Sequence, residues 1–334
     1  MVAWVDRCAA FDFFSRREKV AANPLWKGAH ELMARLMKDK MTDFSRKIME
    51  KIKEKSKDMP SSVQTVTDDD YRGIVWNLTQ SLFPRNLEPG QFSFDDLRVK
   101  EVANCLYMTE FNLFKNIRVQ EFVERTWIKK QSSSLIYVMT ARFNYVAYWV
   151  GTQILSRDTV AGRRAAVEKF IQIAHECMEM RNFNSAMEVL AGLCMSPISR
   201  LKRTWEALSD AVLAVFQGLE ECMSPMRNYI SYRQRAADLR RRGTVFMPYV
   251  GLYLKDLVFA DENPSWNDEA QGVVNFEKLD LISQIITEVE WVQRRSIVVS
   301  VVPETIQQYL NNLHVLDDKE LYDLSLKLEP RRSS

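Results

Sequence analysis

The chain has 334 residues, 46% hydrophobic and 27% charged, which allows one large or two smaller folded domains with a sizeable core. Lys and Arg total 46 against 44 Asp and Glu, so a formal charge of +2 gives no reason to expect nucleic acid or an anionic membrane surface as the main ligand. No signal-peptide pattern or bilayer-length apolar run is present, and the five cysteines (Cys8, Cys105, Cys177, Cys194, Cys222) lack CxxC spacing, so they read as reduced, buried thiols of a cytoplasmic protein.

Residues 1–60 read as helical and basic. Met37, Met41, Phe44, Ile48 and Ile52 recur at steps of four, three, four and four, which draws one apolar stripe down a helix. Turn signals crowd residues 61–94, with Trp76, Leu78, Leu82 and Phe83 as candidate anchors of a boundary region. From Gln91 to Ser196 there is no proline. Here Val102, Leu106, Phe111, Leu113 and Phe114 suggest one helix, and Phe143 to Leu155 a deeply buried one. Val167, Phe170, Ile171, Ala174 and Met178 give a clear amphipathic third. Residues 181–205 then read as a polar cap at Asn182 or Asn184, a helix, a Ser-Pro break and a basic helix start. Helix follows helix, so the expected class is all-α. Ser296 to Val302, rich in β-branched residues and stopped by Pro303, is the one strand-like piece.

Several chemistries find no residues to carry them. No two of the ten glycines lie within seven positions of each other, which excludes GxGxxG and GxxxxGK[ST] phosphate cradles. His30-Glu31 and His175-Glu176 begin like HExxH but lack the second histidine, so no metal site is expected. Asp95-Asp96 and Asp317-Asp318 sit where helix caps do, and rank below capping as acid–base pairs. No cofactor is implied. The chain is read as acting by binding, and not as an enzyme doing covalent chemistry.

Gly243 to Phe276 is the most unusual stretch. It reads as an outgoing helix, a turn rich in proline and glycine, and a returning helix capped by Asn275. Pro248 fits a first helical turn, where its missing N–H is tolerated. Tyr249 to Phe259 is apolar except at Lys255, Asp256 and the neutral Gly251, so the helix is either buried or carries a face for a partner. Its end reads Asp261, Glu262, Asn263, Pro264, and two acids there oppose the helix dipole. An ordinary core helix ending in a charged loop has the same pattern.

In order, VANCLYMTEFNLFKNI (102–117), FNYVAYWV (143–150), FIQIAHECMEMRNFNSAMEVLAGL (170–193), SPISRLKRTW (196–205), NYISYR (228–233), PYVGLYLKDLVF (248–259), VNFEKL (274–279) and YDLSLKLEPR (322–331) resemble the catalytic domain of Ras-family guanine-nucleotide exchange factors of the son-of-sevenless type. The resemblance covers roughly 95–331. It implies a multi-helix exchange domain with a protruding helical hairpin, preceded by a 61–94 linker and a helical 1–60 segment that would be a remnant of the accessory exchange-factor module. It implies a partner too: a Ras- or Rap-like small GTPase, bound most tightly without nucleotide. Neither nucleic acid nor direct membrane insertion is expected, and recruitment to membranes would follow from the partner's lipid anchor.

By matching positions the resemblance makes Val258, Glu262 and Asn263 the residues that open the nucleotide site. Tyr229, Tyr249, Lys255, Cys194 and Ser199 match GTPase-contact positions. Two departures are visible: the turn reads ENP where the family has a glycine-containing EGNP, and Cys194 and Ser199 are other residue types in common members. The alternative reading is a catalytically silent, exchange-factor-like scaffold that binds its partner stoichiometrically.

Overall fold

The computed structural model describes residues 93–124, 134–264, 266–268 and 273–330. The expected N-terminal helix with its Met37–Ile52 stripe, and the connection carrying Trp76, Leu78, Leu82 and Phe83, lie outside these residues. The described part is all-α, with thirteen helices. In chain order they are α1 (Val99–Asn116), α2 (Val119–Glu124), α3 (Leu135–Leu155), α4 (Val160–Glu179), α5 (Phe183–Cys194), α6 (Ser196–Ser199) and α7 (Lys202–Glu206). There follow α8 (Asp210–Cys222), α9 (Ile230–Arg241), α10 (Val250–Glu262), α11 (Phe276–Gln293), α12 (Glu304–Asn311) and α13 (Asp318–Leu328). Among the described residues no helix is long and apolar enough to cross a membrane.

The helices predicted around 102–114, 143–155 and 163–180 are α1, α3 and α4. Side-chain caps start α3, α4 and α5: Ser134 accepts the Tyr137 N–H, Thr159 the Gly162 N–H and Asn182 the Ser185 N–H. Asn182, of the two candidates, is therefore the cap of α5. Asp96 and Asp317 both serve capping boxes, as their sequence contexts suggested. The strand expected at Ser296–Val302 does not form. That segment has no regular secondary structure, Val298 and Val301 face solvent, and the Ser300 N–H donates to Asn104 Oδ1 at 3.2 Å. β-branching favours extended backbone, but a strand also needs a neighbouring strand to complete its ladder. The short antiparallel ribbon lies instead between Trp266–Asp268 (β1) and Val273–Val274 (β2), inside the turn after α10.

At the centre lies α5, buried on every side except at Ala191 and packed against α3 and α4. Gly192 permits the closest approach: a Cβ there would sit 2.6 Å from both Ala147 O and Val150 Cβ of α3. An aromatic triad fills the other side of α3. Phe94 stacks on Phe170 at 4.5 Å, and Trp149 meets both edge-on. The last helix is held to the body by Arg200, which donates to Ser325 O (2.7 Å) and Glu329 O (2.8 Å), and by Glu329, which accepts the Arg203 and Thr204 N–H groups of α7.

A polar network crosses this apolar centre. Arg142 Nε donates to Glu110 Oε1 at 2.9 Å, and Asn184 Nδ2 bridges Glu110 Oε2 (3.2 Å) and Glu188 Oε1 (2.9 Å). All four residues are buried. Burial raises the pKa of both glutamates, the Glu110 charge adds to the rise at Glu188, and Arg142 opposes it at both. The folded state thus holds proton that the unfolded chain releases above the ordinary carboxylate range. Stability from this pair is full at lower pH and falls as pH rises, by at most about 1.4 kcal/mol per pH unit for each proton. Thermal melts from about pH 5 to about pH 8 should show a declining Tm, and Glu188→Gln should flatten that decline.

Candidate functional site

The helical pair α10–α11 is rooted in the interior by groups that satisfy helix-end hydrogen bonds. Tyr249 is the N-cap of α10 and offers no capping side chain. Its own N–H donates to the Tyr232 hydroxyl (2.9 Å), and the Val250 N–H donates to Asn184 Oδ1 (3.3 Å). Pro248 therefore precedes the cap and does not occupy the first turn. At the other end of the pair, Gln293 Nε2 donates to Phe114 O and Ile117 O, both at 2.8 Å, and so caps α1. Helix α9 braces both members. Arg233 holds Asp256 of α10 through 2.7 and 2.8 Å contacts, and Arg240 meets Glu288 of α11 at 2.8 Å.

Tyr229, Tyr249 and Lys255 come together beside this root. The two rings lie 5.9 Å apart, and the Lys255 ammonium sits 5.4 Å from the Tyr229 ring centroid. Lys255 Nζ also donates to Asn228 Oδ1 at 2.9 Å. Arg227, Asn228 and Tyr229 take consecutive positive φ values of 50°, 57° and 60°, a left-handed run of non-glycine residues costing of order 1 kcal/mol or more each. Tyr229 and Tyr249 are only 6% and 3% exposed, so Lys255 is the cluster's solvent-facing member. Cys194 and Ser199 lie on α5 and α6 instead. The Cys194 thiol is buried, with Sγ 3.9 Å from Glu220 Oε1, and Ser199 is half-buried.

Along α10 the root is buried and the outer face toward the tip is exposed. Val250, Leu252, Tyr253, Leu254 and Leu257 are buried, Val258 is half-buried, and Glu262 is exposed with Asn263 half-buried beside it. Spacings of three and four place Lys255, Val258, Phe259 and Glu262 on one outer stripe. Phe259, 64% exposed, is a feature that motif matching passed over. A large apolar side chain next to Val258 on a solvent-facing stripe was the available signal. Lys278 was also missed. Its Nζ lies 3.2 Å from Asp261 Oδ1, which answers one of the two acids at the helix end with a cation from α11. Asn275 does cap α11, accepting the Lys278 N–H at 3.2 Å as its position predicted.

Among the described residues no group of three or more His, Cys, Asp or Glu is placed to hold a metal. The arrangement offers an exposed apolar and acidic helix face beside a lysine backed by two buried tyrosines, which is chemistry for gripping a protein surface. The RasGEF domain profile matches residues 101–280, more than half of the chain. The chain belongs to the RasGEF domain family. It is 31% identical over 242 residues to Ras guanine nucleotide exchange factor M of Dictyostelium discoideum, covering 71% of this chain and 26% of that protein. Ras guanine nucleotide exchange factor A of the same organism is 32% identical over 276 residues, 76% of this chain and 44% of that protein. Ras-specific guanine nucleotide-releasing factor 1 of Rattus norvegicus is 31% identical over 242 residues, 71% and 19% respectively. The matched part of this RasGEF chain thus spans less than half of each of these relatives.

Within this RasGEF fold Gly251 governs where the Tyr249 ring can lie. A Cβ at 251 would sit 2.7 Å from the Tyr249 hydroxyl and 2.8 Å from Cζ. Because the colliding atoms are the far end of a side chain, the ring can yield without unfolding the helix. Gly251→Ala should swing Tyr249 away from Tyr229 while changing Tm by no more than about 4 °C, about 1 kcal/mol. A crystal structure and a thermal melt of the variant check both halves.

Proposed function

We propose that this chain is a guanine-nucleotide exchange factor for a Ras- or Rap-like small GTPase, with 95–331 as the exchange unit. On this reading the outer stripe of α10 inserts at the GTPase switch regions. Val258 would displace the magnesium position, and Glu262 with Asn263 would engage the groups that hold magnesium and phosphate. The observation that carries the reading is the exposure of Glu262 at the end of a helix whose root is locked into the core. An acid held out at that place can substitute for the negative charge leaving a basic phosphate pocket. The Tyr229–Tyr249–Lys255 cluster would receive the second switch, and Phe259 would add an apolar contact.

Exchange of this kind is reciprocal binding. A ligand held at picomolar affinity corresponds to about 16 kcal/mol, which no single contact offsets. A factor that binds the empty GTPase tightly weakens the nucleotide by the same factor, and the incoming nucleotide later expels it. No acid, base or metal of the factor's own is consumed in such a cycle.

The test is release of a fluorescent GDP analogue from Ras, Rap and Ral proteins by catalytic amounts of this chain. Acceleration on at least one is expected, and its absence on all would overturn the reading. Losing a charge-assisted contact worth roughly 1.5–3 kcal/mol, Glu262→Ala should slow exchange by about 10- to 100-fold. Its Tm should change little, because the interactions of a solvent-exposed carboxylate contribute about 1 kcal/mol or less. A stoichiometric scaffold would instead bind the GTPase without preferring the nucleotide-free form, which a pull-down against both forms would reveal.

A further inference from the structure

The root of the α10–α11 pair is tied to the core, whereas its tip carries exposed residues and ends in two acids. Something must fix the last turn of α10, and two residues at the start of α11, its cap Asn275 and Lys278 of its first turn, do so. Lys278 is 8% exposed, and its Nζ donates to Asp261 O (3.2 Å), Asn263 O (3.0 Å) and Asp261 Oδ1 (3.2 Å). Asn275 Nδ2 donates to Pro264 O at 2.9 Å. The carbonyls on either side of Glu262, and the next one along, are thus all held from the returning helix. The ammonium also supplies the positive charge that the C-terminus of α10 lacks in its own sequence. Asn275 completes the device: while it grips Pro264, its Oδ1 accepts the Lys278 N–H and so fixes the backbone from which the lysine reaches across.

We propose that Lys278 is a positioning residue for nucleotide release. It clamps the backbone at 261–263 so that Glu262 and Asn263 meet the GTPase in one fixed presentation, with Asn275 as its support. The proposal rests on the exchange reading above. A three-donor ammonium suits three acceptors that include two backbone carbonyls, and methionine fills similar space while donating nothing. Displacing a reacting group by about 1 Å through a remote substitution costs up to about 100-fold in rate.

The experiment compares the full chain with Lys278→Met, Lys278→Arg, Asn275→Asp and Glu262→Ala. The readouts are GDP-analogue release across GTPase concentrations and amide hydrogen exchange. Lys278→Met should lower the maximal release rate about 10- to 100-fold, with the half-saturating GTPase concentration moving less than about threefold. Amides at 261–263 should exchange faster, and those of α5 should not. Lys278→Arg should recover most of the rate, because a guanidinium still donates to carbonyls. Asn275→Asp keeps the cap but loses the amide donor, and should give a smaller loss of the same kind.

The clamp is overturned if Lys278→Met leaves amides 261–263 as protected as in the wild type. It is equally overturned if Lys278→Arg is as slow as Lys278→Met, or if half-saturation rises as much as the maximal rate falls. Should Lys278→Met fail to fold, Asn275→Asp with unaltered amide exchange at 261–263 overturns it as well. A Glu262→Ala variant as fast as wild type would sink the exchange reading alone, since amide exchange judges the clamp without any GTPase present.

Discussion

A helix that starts inside a protein must find acceptors for its first N–H groups, and that requirement organises this molecule. At α10 the cap position is a tyrosine whose side chain makes no cap bond to its own helix. The interior supplies the acceptors instead, the Tyr232 hydroxyl and Asn184 Oδ1. Asn184 can present its carbonyl oxygen there because its amide nitrogen is engaged by Glu110 and Glu188, with Arg142 behind them. The polar core and the functional helix therefore share one amide group. An interior amide with both ends committed costs more to disturb than either bond alone suggests.

On the proposed reading this coupling has a mechanical use. A lever that parts a GTPase from its nucleotide must transmit force to a fixed base, and here the base is the packed centre around α5. The bracing arginines of α9 act sideways on the same pair, one on each member. What the core cannot reach, the tip, carries its own fastening between helices.

Much of the fold was legible because its signals are local. Apolar spacing located α1, α3 and α4, cap chemistry placed the start of α11 at Asn275, and it narrowed the start of α5 to Asn182 or Asn184. The ribbon was misplaced for the opposite reason. Among the described residues Ser296–Val302 pairs with no strand for all its β-branching, while Trp266–Asp268 and Val273–Val274 face each other across a turn. Pairing is decided by tertiary proximity, which composition does not encode. The same limit applies to the site. Val258 and Glu262 could be picked from a motif and stand on an outer face, whereas Lys278 reads along the chain as one more surface lysine. Only the return of α11 beside α10 shows that it is nearly buried. Tyr229 and Tyr249 match contact positions by motif, and only the fold shows that both rings are largely buried, 5.9 Å apart.

The left-handed run at Arg227–Asn228–Tyr229 has an implication for how this surface could change. Three glycines would relax the torsional penalty, yet they would also let the loop wander among many shapes when unfolded and when folded. Keeping bulky residues there accepts a less stable protein in return for a tyrosine that cannot drift. Selection for heat tolerance and selection for a crisp docking face would therefore pull this short loop in opposite directions.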